Sequence, residues 1–195
     1  MTFYSIPENA YEEALQLFSS EYDGTYHIGK FGNEDFCEIR YKEGKIIFDR
    51  YLYYQVVAGR TFDHEFTRVR YEFKGDLNFN FEIHEQGIVD QIAKFIGFQD
   101  IRIGNSIFDR KFMIQATDEH KMQVMFADDK IQNKLLQLKD VNLYLLKERG
   151  IFHEPVSDET VMLYFLSENK IRHKDNWNEL YILFQLLINR LNTLV

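Results

Sequence analysis

The segment Leu77-Asn78-Phe79-Asn80-Phe81-Glu82-Ile83-His84 alternates apolar and polar residues without a break. A strand turns successive side chains to opposite faces, whereas a helix would scatter these residues around its axis. The alternation predicts a half-buried strand over 77–84. Leu77, Phe79, Phe81 and Ile83 face a core; Asn78, Asn80, Glu82 and His84 face water. Four extended segments precede it, near 25–31, 36–42, 45–57 and 64–73. The links between them are short and marked by Gly or Asn: Gly32-Asn33, Glu43-Gly44, Gly59 and Gly75-Asp76. Strands joined by such turns predict an antiparallel meander.

Helical patterns bracket these strands. Ser5-Ile6-Pro7-Glu8 reads as a capping box, and Ala10, Tyr11, Ala14, Leu15 and Phe18 follow at helical spacing, predicting a helix over about 6–20. Ile88, Ile92, Phe95 and Ile96 predict a short helix that Gly97 ends. An extended stretch is expected over 100–117. Asp118 is placed to cap a helical segment through about 126, and a further helix covers about 129–138. Strands are expected near 141–146, 150–155 and 160–166. Trp177, Leu180, Tyr181, Phe184, Leu187, Ile188 and Leu191 then trace the wide apolar stripe of a long last helix. No Pro- or Ser-rich linker divides the 195 residues. The expectation is one α+β domain over 1–195, an antiparallel meander packed by flanking helices, with a joint between subdomains near 97–104.

Aromatic residues make up 16% of the chain, as 18 Phe, 12 Tyr and a single Trp, which suits pleated sheet surfaces. The formal net charge is −8 and Lys and Arg never run longer than two, so no basic face for nucleic acid or anionic lipid is expected. The single cysteine, Cys37, excludes an intramolecular disulfide and a thiolate zinc site. In Phe36-Cys37-Glu38-Ile39 it shares a face with Ile39 and Tyr41, where a thiol is buried and inert. The N-terminus lacks a signal-peptide pattern, and the apolar stretches 161–166 and 180–188 are too short to cross a bilayer. The expected location is the cytoplasm.

One short pattern occurs twice. Gly44-x-x-Ile47-Phe48-Asp49-Arg50 and the Gln55 that follows match Gly104-x-x-Ile107-Phe108-Asp109-Arg110 and Gln115. The structural reading is a turn, a strand entry and an Asp-Arg pair at a rim. The functional reading makes Asp49, Arg50, Asp109 and Arg110 a duplicated ligand-binding pair. In its second copy, Gly104-Asn105-x-x-Phe108-Asp109-Arg110-x-Phe112-x-Ile114 followed by Asp118 resembles a segment of an uncharacterised bacterial domain family, a domain of unknown function. Gly29-Lys30-Phe31-Gly32, Phe73-Lys74-Gly75-Asp76-Leu77 and Leu135-Leu136 agree in order, so the resemblance spans about residues 28–146. It implies no reaction, cofactor or catalytic residue. Members of that family often carry apolar membrane segments ahead of the domain; this sequence has none, and a membrane-tethered role is not expected.

The remaining chemistry is sparse. No catalytic motif, phosphate cradle or H-E-x-x-H spacing is present. Among six histidines, the best metal-ligating candidate is Glu82-x-His84, two residues about 7 Å apart on one strand face. The strand at 45–57 is apolar on both sides, which a central, doubly covered strand explains; a Tyr-rich side that meets a partner explains it too. Ile182, Leu183 and Leu186 widen the stripe of the last helix and suggest self-association there. The leading expectation is a non-enzymatic cytosolic binding or protein-interaction module, with a homodimer through the C-terminal helix as one form. The alternatives are an aromatic-lined pocket for a small apolar ligand and a hydrolase using Glu82, His84 or Asp109. No cofactor is expected.

Overall fold

The computed structural model describes residues 10–29, 34–74, 78–86, 99–147 and 160–194. Its elements begin with α1 (Ala10–Glu21), β1 (Thr25–His27), β2 (Phe36–Tyr41), β3 (Gly44–Val57), β4 (Arg60–Lys74) and β5 (Phe81–Glu85). There follow β6 (Gln99–Asp100), α2 (Ser106–Lys111), β7 (Phe112–Ala116), α3 (Glu119–Met125) and α4 (Asp129–Gln137). The chain ends in β8 (Asn142–Lys147), β9 (Thr160–Ser167) and α5 (Lys174–Leu191). The fold is α+β, as expected. The Ser5–Glu8 capping box, the helix at Ile88–Gly97 and the strand at 150–155 lie outside the described residues.

Among the described residues the strands form one nine-stranded sheet in the order β1-β2-β3-β4-β9-β8-β5-β7-β6, and neighbours pair antiparallel throughout. The first four are a meander. β5 then enters between β8 and β7, so elements distant in sequence share one sheet.

The described helices lie on one face. Alternation along each strand sends Ile46 and Phe48, Val69 and Tyr71, Leu163 and Phe165, Leu143 and Leu145, and Phe81 and Ile83 into that layer, all buried. Phe18 of α1, Phe48 of β3 and Trp177 of α5 meet at its centre, with Phe18–Phe48 centroids 4.8 Å apart and Phe48–Trp177 at 5.9 Å, both edge to face. The excess apolar residues of α5 are largely absorbed there: Leu183 is fully buried, Leu186 is partly buried, and Ile182 is 36% exposed.

Several expectations need correction. Residues 100–117 are not extended throughout, because α2 interrupts them. Gly104 adopts a left-handed φ of 92°, and the Asn105 side chain accepts from the amides of Ile107 and Phe108, starting a helix inside the expected extended stretch. Glu82 does not face water; it is 3% exposed on the far side of the sheet. Nor is the strand at 45–57 covered along its length. β3 pairs with β2 only up to Asp49, and β4 meets β9 only from Thr67 onward. Between them, residues 50–66 pair only with each other among the described residues, up to the turn at Ala58 (φ 50°) and Gly59 (φ 75°). They form a two-stranded arm that leaves the sheet and runs about 27 Å at the rise of an antiparallel strand.

Candidate functional site

Two places gather the polar and exposed side chains that a function could use: the face of the sheet away from the helices, and the arm.

The far face is built in rows, since residues opposite one another across antiparallel strands lie side by side. One row runs Asp49, Arg68, Leu166, Asn142, His84, Met113; the next runs Ile47, Arg70, Tyr164, Tyr144, Glu82, Gln115, Asp100. At one end Asp49, 4% exposed, accepts from Arg68 Nε at 2.7 Å and Arg68 Nη2 at 2.5 Å. Arg70 Nη2 reaches the same carboxylate at 3.1 Å. The Arg68 guanidinium also lies over the Tyr51 ring at 4.6 Å. A bidentate arginine is the strongest partner a buried carboxylate can have, and the second offsets its desolvation further.

Toward the other end lie Glu82 and His84. Asn142 Nδ2 donates to the carbonyl oxygens of Asp140 (3.2 Å) and Leu166 (3.4 Å), which turns Oδ1 toward His84 Nδ1 at 3.0 Å. An amide oxygen only accepts, so a hydrogen bond here is made by the Nδ1–H form of the imidazole. Nε2 then looks toward Glu82 Oε2, 3.4 Å away. The Tyr144 hydroxyl stands 3.3 Å from His84 Nδ1, and its pKa is pushed far above the ordinary tyrosine range by burial, with the Glu82 charge adding to it. The phenol stays protonated and is no base at ordinary pH.

The structure thus brings together the two metal candidates, Glu82 and His84. Among the described residues no group of three or more His, Cys, Asp and Glu side chains comes together as a metal site. Asn142 and Tyr144 are the neighbours that sequence reasoning missed. Both sit in the strand expected near 141–146, but the pairing of β8 with β5 was not legible.

The repeated pattern separates. Asp49 and Arg50 point to opposite faces of β3 and do not pair. Arg50 meets Glu34 (Nε to Oε2, 2.8 Å) and lies near Glu12 (3.7 Å) and Glu65 (3.6 Å) on the helix side, over the Tyr11 ring. Asp109 lies on α2, where its carboxylate accepts from the amides of Ile103 (2.8 Å) and Gly104 (3.0 Å), closing the loop that enters the helix. Arg110 is exposed. The echo therefore encodes a strand in one copy and a helix entry in the other. Cys37 is fully buried, and burial pushes its thiol up to about 11.

The arm has a different character. Tyr54, 59% exposed, and Val56, 69% exposed, share its helix-side face; Phe62, 47% exposed, lies on the other. At its root a polar groove of about 430 Å³ is lined by Leu52, Asp63, His64, Glu65, Glu168 and Lys170, with Lys170 and Glu65 bridged at 2.5 Å. The sequence signal for the arm was the doubly apolar run 45–57; Phe62 gave none.

No family model matches this sequence, and no match was found among the curated proteins or the solved structures. No helix among the described residues is long and apolar enough to cross a membrane.

Proposed function

We propose that this protein is a non-enzymatic cytosolic interaction module whose contact element is the β3–β4 arm. The observation that carries the reading is exposure. The arm stands outside the sheet and gathers Tyr54, Val56 and Phe62 in solvent on one ribbon, whereas the other exposed large apolar residues among those described, Leu17, Ile28, Ile107, Met113 and Ile182, are scattered over separate parts of the chain. A two-stranded ribbon is marginal in water without a hydrophobic face to cover. Exposed aromatic and β-branched residues on unpaired strand edges are a template for another chain.

The polar clusters support the same reading. Arg68 and Arg70 both donate to the Asp49 carboxylate, and Asn142 and Tyr144 both contact His84. Neither presents an activated nucleophile. The rings that a small apolar ligand would need as a lining stack on one another in the core, which leaves the pocket reading without an observation in its favour. The C-terminal helix has little apolar surface left for a partner, so the contact belongs to the arm.

The test is a photo-crosslinking amino acid placed at position 54 in cells, with the exposed helix position Asn189 as reference. Discrete adducts from position 54, not reproduced from 189, are expected. Only diffuse or absent adducts at 54 would remove the arm as a contact element.

A further inference from the structure

The two edges of the arm differ in charge, and the difference identifies a partner. On the β4 side the sequence from Arg60 to Phe66 carries Arg60, Asp63, His64 and Glu65. Charges along an edge are the usual protection against strand addition. On the β3 side, Tyr51 to Gly59 holds no charged residue, no proline, and a run of aromatic and β-branched residues. Past Arg50, which Glu34 holds at the root of the arm, only the β4 edge is guarded.

We infer that the β3 edge pairs antiparallel with the same edge of a second copy of this chain, about a two-fold axis at Tyr54. This deepens the arm reading and rests on it. In two-fold antiparallel pairing the numbers of facing residues have a constant sum. Centred on Tyr54, the register sets Tyr54 against Tyr54 of the second copy, Tyr53 against Gln55, Leu52 against Val56 and Tyr51 against Val57. The next pair outward is Arg50 against Ala58, so no charge faces another. Facing residues share a face of the ribbon, so the exposed Tyr54 and Val56 of both copies gather on one side. The same operation on the β4 edge, centred on His64, would set Asp63 against Glu65 of the second copy, like charge against like. The assembly is a four-stranded ribbon, β4-β3-β3-β4, in which each arm gains a neighbour and loses its bare edge. It is an isologous interface that closes with two copies rather than growing into a fibre.

Two measurements test this. Light scattering over a concentration series is expected to show a mass of twice 23.5 kDa. Tyr54→Lys, which places two ammonium groups at the axis, is expected to return it to the single-chain mass while the circular dichroism spectrum of the folded chain is kept. Phe62→Lys, on the other strand, should leave the dimer intact. Independently, Tyr54→Cys is expected to form an interchain disulfide under mild oxidation, because facing residues in such a pair lie about 4.5–5.5 Å apart. Phe62→Cys should not, and the buried Cys37 is out of reach. A single-chain mass at all concentrations, or equal oxidation at 54 and 62, would overturn the self-pairing. If position 54 still crosslinks to a different protein, self-pairing fails while the arm remains a contact element; if it crosslinks to nothing, both fail.

Discussion

Asp49 sits at one end of the far face, 4% exposed, next to Arg50 in the chain. Beside Arg50 it resembled half of a pair, yet strand alternation sends the two to opposite faces. Its partners, Arg68 and Arg70, are supplied by β4. The signal was present in Thr67-Arg68-Val69-Arg70-Tyr71, but alternating charge reads as a wet face unless a buried carboxylate is known to sit opposite. Asp49→Ala would remove the carboxylate that both guanidinium groups share on a largely buried surface. We expect a loss of about 3–5 kcal/mol in urea unfolding. Asp49→Asn should recover part of it, since the amide oxygen still accepts. An Asp49→Ala variant within 1 kcal/mol of wild type would mean the cluster is not what holds β3 to β4.

At the scale of elements, the sequence was most legible where one periodicity ran long enough to stand alone. The stripe of α5, the Asp118 cap of α3, the alternation in β5 and the continuous apolar run of β9 were all readable. The helix α2 was not, because two residues decide it: Gly104 at a positive φ and Asn105 accepting two amides. The arm was half legible. Apolar residues on both sides of a strand say that both sides meet something, but not whether it belongs to the same molecule. For α5 the excess of apolar residues turned inward, and this can be checked directly. Leu183→Ala is expected to cost about 2–5 kcal/mol, as for any fully buried leucine. Ile182→Ala, one residue away and 36% exposed, should cost well under half of that in the same denaturation experiment. Comparable losses would mean that the helix buries a different face.

The whole molecule is where sequence reasoning stops. Alternation identifies strands but not their neighbours, and nothing in Phe81–Glu85 announces that its partners are β8 and β7. The far face is therefore unreadable as a surface, since its rows are assembled from six or more strands. The burial it produces has a collective consequence at alkaline pH. Cys37 titrates near 11 when folded against an ordinary 9.0, and Tyr11 and Tyr144 are likewise raised by burial. The unfolded chain loses these protons first, so the folded state is favoured in full below pH 9. Stability should fall as pH rises through 9 to 11, with Cys37 alone contributing on the order of 2 kcal/mol. Urea midpoints at neutral pH and near pH 10.5 measure it, the latter taken on the scale of that shift. A midpoint that does not move would mean these groups reach solvent.

The position of β5 also sets an order of events during synthesis. It leaves the ribosome early, yet both strands that flank it, and the β9 strand that closes the inner side of β4, are made later. Until residue 167 has emerged, β4 lacks the neighbour that joins the first four strands to the rest of the sheet, and until α5 follows, Phe18 and Phe48 lack the Trp177 ring that packs on them. The interior is therefore completed only after β9 and α5 have been made, and a nascent chain with this topology keeps apolar surface open to chaperones and proteases until then.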